Sequence, residues 1–246
     1  MKKIGAIIQA RTGSSRLPNK IFADIVGMPL LWHVYNRLTY SNLINQIIIA
    51  TSNKKEDDKI ENFAIENNIS FYRGSETDVL SRFYHTAKTF NLDIIIRITA
   101  DDPFKDPVMI DYAINKFIEF DLNFIYNNHP PTYPEGIDIE IFDYNSLRIA
   151  HKNAITLFEK EHVTQYFFKN LNDIRHLNIF SNENKSNLRW TIDNSEDLQM
   201  TKIIYDRLYV KGKIFLYQEI LNLIKQEPHI AEMNMNVKRS DMYKNL

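Results

Sequence analysis

The residues best suited to chemistry cluster early in the chain. The stretch IIQARTGSSRLPNKIF, residues 7 to 22, holds three permanent cations, Arg11, Arg16 and Lys20, within ten positions. Gly13, Pro18 and the hydroxyls of Thr12, Ser14 and Ser15 lie among them. A glycine lets backbone N–H groups close on an anion, and Arg and Lys add charge-assisted hydrogen bonds to phosphate. The GxxxxGK[ST] pattern of a Walker A loop is absent, and a single glycine cannot make the GxGxxG dinucleotide fingerprint. On spacing alone, a solvated basic loop is the competing reading. A second feature, TADDPF, sets Asp101 and Asp102 directly behind an apolar run. A hard cation such as Mg²⁺ takes one or two carboxylates and completes its shell with water and phosphate oxygens. Adjacent residues leaving a strand diverge, so Asp102 reads as a turn or supporting residue before the helix that starts at Asp106-Pro107.

The elements that must position these groups alternate. KKIGAIIQA, QIIIAT (46–51), SFYRG (70–74) and DIIIRIT (93–99) read as short buried strands. Helical spacing fills 29–40, 55–68, 77–90 and 106–120, with Thr77 or Asp78 capping the third of these helices. Continuous apolar strands alternating with helices predict an α/β fold with a doubly wound, mostly parallel sheet covered on both faces. In such sheets ligands bind beyond the carboxyl ends of the strands, where the cationic loop and Asp101 both fall. After residue 121 the rhythm weakens. IDIEIF (137–142), HLNIF and LRWTID read as further strands, SLRIAHKNA and EKEHVTQYFFKN as helices, and two helices near 195–209 and 216–226 close the chain. The whole is expected to be one domain, 1–246, with about 121–187 as an acceptor-binding or oligomerisation subdomain.

The bulk numbers exclude several functions. With 30 Lys+Arg against 31 Asp+Glu in 246 residues, the net charge of −1 offers no broad surface for nucleic acid or a polybasic membrane contact. Zero cysteines exclude disulfides, thiolate catalysis and cysteine-ligated zinc. The apolar run in MKKIGAIIQAR is too short for a signal peptide, and no run approaches the roughly 18 apolar residues of a membrane span. A cytoplasmic protein is expected.

In order along the chain, IIQARTGSSRLPNKIF, GMPLLWHVYNRL, IIIATSNKKEDDKI, FYRGSETDVLSRFY, IIRITADDPFKDP, YPEGIDIEIF, EKEHVTQY and LRWTIDNSEDL resemble the spore-coat polysaccharide cytidylyltransferase family. That family is related to the enzymes that make CMP-activated ulosonic and sialic acids. The resemblance spans about residues 3 to 226. It implies a Rossmann-like nucleotidyltransferase fold, binding of CTP and Mg²⁺, attack by an acceptor on the α-phosphate, and release of pyrophosphate. Arg11, Arg16 and Lys20 would hold the triphosphate, and backbone groups of Thr12 to Ser15 would wrap it. Gln9, Ala10 and Thr99 would complete the nucleotide site. By family position Arg73 and Ser75 would meet the cytosine edge, against a structural reading in which Gly74 turns the chain and Arg73 pairs with a nearby acid. Asp101 and Asp193 would hold Mg²⁺, with Arg11, Lys20 and Asp101 as the catalytic set. Two departures stand out: TADDPF where many relatives have TGDCPL or QGDEP, and Asn194-Ser195 where threonine-proline is more common.

The acceptor site is less defined. NNHPPTYPEGIDIEIF has the polar, proline-marked form of a binding loop. Asp138 and Glu140, two apart on an expected strand, would share a face that binds hydroxyls, an amine or a metal, or is merely solvated. His162 and Tyr166 are i and i+4 on an expected helix, where packing is the ordinary role; the family resemblance makes Glu161 and His162 acceptor-site candidates. Arg189 and Asp193, four apart on an expected strand, would face one way, and the arginine could grip an acceptor carboxylate or phosphate. The expected activity is transfer of CMP from CTP to an acidic sugar or a phosphorylated small molecule for surface polysaccharide synthesis. A nucleotide-sugar glycosyltransferase and a nucleotide-binding regulator without turnover are the alternatives. TQYFFKN fits a homodimer interface and fits a core equally well.

Overall fold

The computed structural model describes residues 2–14 and 16–237. The first strand, β1 (Ile4–Gln9), is followed by the cationic loop, a 3₁₀ turn at Lys20–Phe22 and a two-residue hairpin, β2 (Asp24–Ile25) and β3 (Met28–Pro29). Then come α1 (Leu30–Leu38), β4 (Gln46–Ser52), α2 (Asp58–Glu66), β5 (Ser70–Gly74), α3 (Val79–Thr89), β6 (Ile94–Thr99) and α4 (Pro107–Glu119). The later part holds β7 (Phe124–Tyr126), β8 (Glu140–Asp143), α5 (Tyr144–Asn153), α6 (Leu157–Glu161), α7 (Gln165–Lys169), β9 (His176–Asn178), α8 (Ser195–Leu208), α9 (Tyr217–Gln226) and α10 (His229–Glu232).

Seven strands form one sheet in the order β5-β4-β1-β6-β8-β7-β9. β5, β4, β1 and β6 are mutually parallel. β8 runs antiparallel to both β6 and β7, and β9 parallel to β7, so residues 121–187 extend the same sheet. The continuous apolar strands follow from burial on both faces. Along β1, Ala6 and Ile8 pack into one core while Ile7 packs into the other; along β6, Ile94, Ile96 and Ile98 join the first and Ile95 the second. Each fully buried aliphatic side chain there is worth about 1.5–3 kcal/mol of transfer from water.

The later third departs from the expected elements. LRWTID is not a strand: it is an extended segment with a single parallel bridge, Glu135 to Arg189. The sheet position beside β6 is already filled by β8, so this segment has no ladder to join. β8 begins at Glu140, leaving Asp138 outside it. The expected helix through EKEHVTQYFFKN is broken into α6 and α7 by Val163 at φ 50, so His162 and Tyr166 do not stack on consecutive turns of one helix. FIY (124–126), hidden in the sequence by the prolines behind it, is a strand. Phe167 and Phe168 of TQYFFKN are buried in the second core, not presented on the surface.

Candidate active site

The cationic loop is shaped by a buried acid that the sequence did not announce. Asp57, just before α2, accepts from the Thr12 backbone N–H at 2.7 Å and the Thr12 hydroxyl at 2.8 Å. Ser52 Oγ also donates to it. Burial opposes ionisation of Asp57, but these donors outweigh it and hold its carboxyl below the usual range. Thr12 O in turn accepts from Ser14 N at 3.0 Å and Asn19 N at 3.2 Å, closing the loop on itself. Thr12 is therefore a buried anchor, and Gly13, Ser14 and Arg16 face the cavity. Ser15 lies outside the described residues.

Lys20 is the centre of the site. Its ammonium donates to Asp101 Oδ2 at 2.6 Å, to Asp193 Oδ1 at 2.9 Å and to the Ile192 carbonyl at 2.7 Å. Burial lowers an ammonium's pKa, but the two carboxylates overcome that and raise it above its ordinary value. Asp101 and Asp193 meet because the Ile192 N–H donates to the Asp101 carbonyl at 2.9 Å, tying the late extended segment to the turn after β6. Asp102 turns inward: buried, it takes the Thr99 hydroxyl and the Lys105 ammonium, and burial pushes its carboxyl up. Arg16 reaches Asp193 at 3.0 Å.

Arg189 braces Asp193 from behind. Its guanidinium meets Asp193 Oδ2 at 2.6 Å, Glu135 at 2.7 Å and Asp197 at 3.1 Å, and is 6 % exposed. An arginine committed to three carboxylates has little left for an acceptor anion, so the expected acceptor role gives way to positioning of Asp193. Asn194 caps α8 through Asp197 N, and Asp197 Oδ2 accepts from the Asp193 N–H at 2.9 Å. Gly136 completes this brace. Its φ is +99°, and a Cβ there would lie 2.6 Å from backbone atoms of Trp190 and Thr191, so only glycine allows the two segments to touch.

A cavity of about 390 Å³ opens over the loop, lined by Gln9, Ala10, Arg11, Lys20, Thr99 and Asp101 among others. A second, of about 250 Å³, adjoins it and shares Arg11, Arg16, Asp101, Asp193 and His162. Asp138 and Glu140 line the second. Glu140 is not solvated as one reading expected: Arg97 pairs with it, Thr164 donates at 2.9 Å and Asn128 at 3.1 Å. Arg97 also donates to Gln9 Oε1 at 3.0 Å, orienting that side chain at the mouth of both cavities. The Asp138 carbonyl accepts from Lys105 at 2.6 Å. Glu161 lines the first cavity and His162 both; burial, with Arg97 and Arg11 nearby, keeps the imidazole below its ordinary pKa despite Glu161.

Arg73 and Ser75 are not brought into either cavity. Arg73 pairs with Asp58 at 2.7 Å and Glu61 at 2.6 Å and donates to the Ser52 and Lys54 carbonyls. Both acids lie on α2, whose first turn faces β5, and they claim the guanidinium that was expected at the base. Ser75 Oγ accepts from the Asp78 N–H at 3.0 Å, starting the turn into α3. Arg82, on α3, lines the first cavity instead.

A parallel sheet edge that joins a cationic loop, two convergent carboxylates and a second adjoining cavity defines a nucleotide-dependent transferase of α/β type. Comparison with known proteins makes that class specific. A family model described as cytidylyltransferase matches residues 5–234, and the chain belongs to that family. A solved cytidylyltransferase from Leptospira borgpetersenii superposes with a TM-score of 0.90 at 31% identity, covering 98% of this chain and 100% of its own. The spore coat polysaccharide biosynthesis protein SpsF of Bacillus subtilis is 31% identical over 238 residues, 94% of this chain and 98% of the relative. The 3-deoxy-manno-octulosonate cytidylyltransferase of Haemophilus influenzae is 28% identical over 228 residues, 83% and 88% of the two chains.

Proposed function

We propose that this enzyme transfers CMP from CTP to an acidic sugar or a phosphorylated small molecule, with release of pyrophosphate, in the synthesis of a surface polysaccharide. The observation that carries the reading is the position of Lys20, bridging Asp101 and Asp193 where the two cavities meet. The first cavity takes the nucleotide and the second the acceptor, so the bond to be exchanged lies at their junction. Relatives named for spore coat polysaccharide and for 3-deoxy-manno-octulosonate support the substrate class.

The donor set fits Mg²⁺. Asp101 and Asp193 offer hard carboxylate oxygens side by side, both hydrogen-bonded to the Lys20 ammonium, which would have to release them for Mg²⁺ to bind. Among the described residues no group of three or more His, Asp or Glu is placed to hold a metal, so water and phosphate would supply the rest of the shell. Bound there, Mg²⁺ would neutralise phosphate charge. The chain's own residues do the remainder. Arg11 and Arg16 hold the triphosphate, and Lys20 is placed to stabilise charge on the α-phosphate as the pyrophosphate leaves. The acceptor oxygen bonds to the α-phosphorus as the bond to the bridging oxygen breaks. His162, kept neutral at the junction, is available to take the proton of a hydroxyl acceptor.

CTP as substrate suits a cytoplasmic enzyme, and among the described residues no helix is long and apolar enough to cross a membrane. Ile155 and Leu157, more than four-fifths exposed at the start of α6, support a homodimer; light scattering would then give twice the 29.1 kDa chain mass. The test of function is pyrophosphate release with CTP, Mg²⁺ and two acceptor panels, ulosonic acids and sugar or alditol phosphates. No release from either panel, with no rise in Tm on adding CTP, refutes the reading.

A further inference from the structure

Arg82 stands apart from the other cations of the site. It is 3 % exposed, has no carboxylate partner within ion-pair distance among the described residues, and lines the nucleotide cavity. Its Nη1 donates to the Ser75 carbonyl at 2.8 Å, and its Nε has no partner among the described residues. Burial pushes the guanidinium down to about 10, with Asp57 and Glu76 opposing that shift and Arg11 adding to it. A buried cation that leaves its donors idle is costly to keep, and such a group calls for a ligand that uses them.

The surroundings select the ligand. Gly74 packs against the stem of Arg82: a Cβ there would lie 3.1 Å from Arg82 Cγ and 3.1 Å from Tyr72 Cε1. Gly74 and Ser75 thus aim Arg82, which gives the YRGS stretch a task that Arg73 does not perform. Val79 lines the same cavity one helical turn earlier and offers an apolar surface to a flat ring. The carboxylates Asp101 and Asp193 belong to both cavities, whereas Val79 and Arg82 line only the first, so Arg82 sits toward the end away from the acceptor. On the reading above, Arg11, Arg16 and Lys20 are the groups that hold the triphosphate. The acids Asp57 and Glu76 partly offset the charge on Arg82 and would repel a phosphate beside it.

We propose that Arg82 reads the base of the nucleotide, donating to the O2 and N3 acceptors of cytosine, and that it sets the preference for CTP over UTP. The assignment rests on the cytidylyl-transfer reading above. Uracil carries a hydrogen on N3, so it would turn a donor toward the guanidinium, losing one hydrogen bond and leaving a buried donor unpaired. Sites built on such bonds reject the wrong partner far more strongly than apolar pockets do.

The experiment measures Kd for CTP, UTP and inorganic pyrophosphate, with Mg²⁺, by titration calorimetry on the full chain. Arg82→Lys, Arg82→Met and Gly74→Ala are compared with the wild type after circular dichroism has checked their folding. Arg82→Lys is expected to cut the CTP-over-UTP preference by about tenfold or more, with UTP and pyrophosphate changing less than about threefold. Gly74→Ala, which displaces Arg82 without altering it, should move the ratio the same way by less, and it carries the test together with Arg82→Lys if Arg82→Met does not fold. Equal weakening of all three ligands would make Arg82 a phosphate clamp and overturn the proposal. An unchanged ratio in Arg82→Lys would overturn it as well. Wild-type protein that binds CTP and releases pyrophosphate while the ratio stays fixed refutes only this inference; protein that binds neither nucleotide refutes the function itself.

Discussion

Lys20→Met is the sharpest test of the site, because it separates what the ammonium does for the fold from what it does for the reaction. The two carboxylate oxygens lie 2.6 and 2.9 Å from one nitrogen. They are therefore no more than about 5.5 Å apart, so at an effective dielectric near 20 their mutual repulsion without Lys20 is at least about 3 kcal/mol. Arg16 and Arg189 still contact Asp193 and offset part of that repulsion, so a loss of about 3 kcal/mol is expected in divalent-free buffer. For a chain of this size it corresponds to a fall in Tm of roughly 6–12 °C. Mg²⁺ should then stabilise the variant more than the wild type, since the cation seat is vacated. Thermal unfolding in EDTA and in Mg²⁺, without nucleotide, reads both effects. A variant with unchanged Tm in EDTA, or a wild type that gains as much from Mg²⁺ as the variant does, would show that Lys20 does not balance the two carboxylates.

Further outcomes follow from the same geometry. Arg11→Ala should cost about 2–4 kcal/mol in kcat/KM, measured with CTP and any accepted acceptor; a fall of less than about threefold would reject its role on the triphosphate. Gly136→Ala should lose about 3 kcal/mol or more in urea unfolding, because its Cβ would meet backbone on both Trp190 and Thr191 at positive φ. Unchanged stability there would mean that the Glu135 and Arg189 segments are not in contact. The His162 imidazole, depressed by burial, should titrate by NMR below the ordinary 6.5. Its share of stability is then full above that value and lost as pH falls through the lower, folded-state pKa. A midpoint at or above 6.5 contradicts its placement between the cavities.

The parallel half of the sheet was legible because nothing else explains runs such as QIIIAT and DIIIRIT: both faces of β4 and β6 are buried, so alternation disappears. The capping of α3 was legible too, since Asp78 offers a side-chain oxygen where a helix begins. The later third was harder. WTID has the composition of a strand, but strand formation needs a free edge, and β8 had taken it. Val163, in the left-handed region, breaks a helix whose sequence has no glycine or proline to mark the break. Asp57 was invisible for a different reason: among the acids of KKEDDKI, only the fold distinguishes the one that turns inward to Thr12.

Two arginines nine residues apart show where sequence reasoning stops. Arg73 and Arg82 flank the same GSETDVLS stretch, and the family pattern drew attention to the first. Pairing of β5 with β4 sets Arg73 opposite Thr51, within reach of two acids at the start of α2, and their charge satisfies it fully. Arg82 emerges from the buried side of α3, where no carboxylate of the described residues lies within ion-pair distance and one cavity lies before it. Both have the same charge and the same donors, so their chemistry as free residues cannot assign the roles. What assigns them is the set of partners each has already spent, and an arginine held in place with donors unused is the one left to bind a substrate.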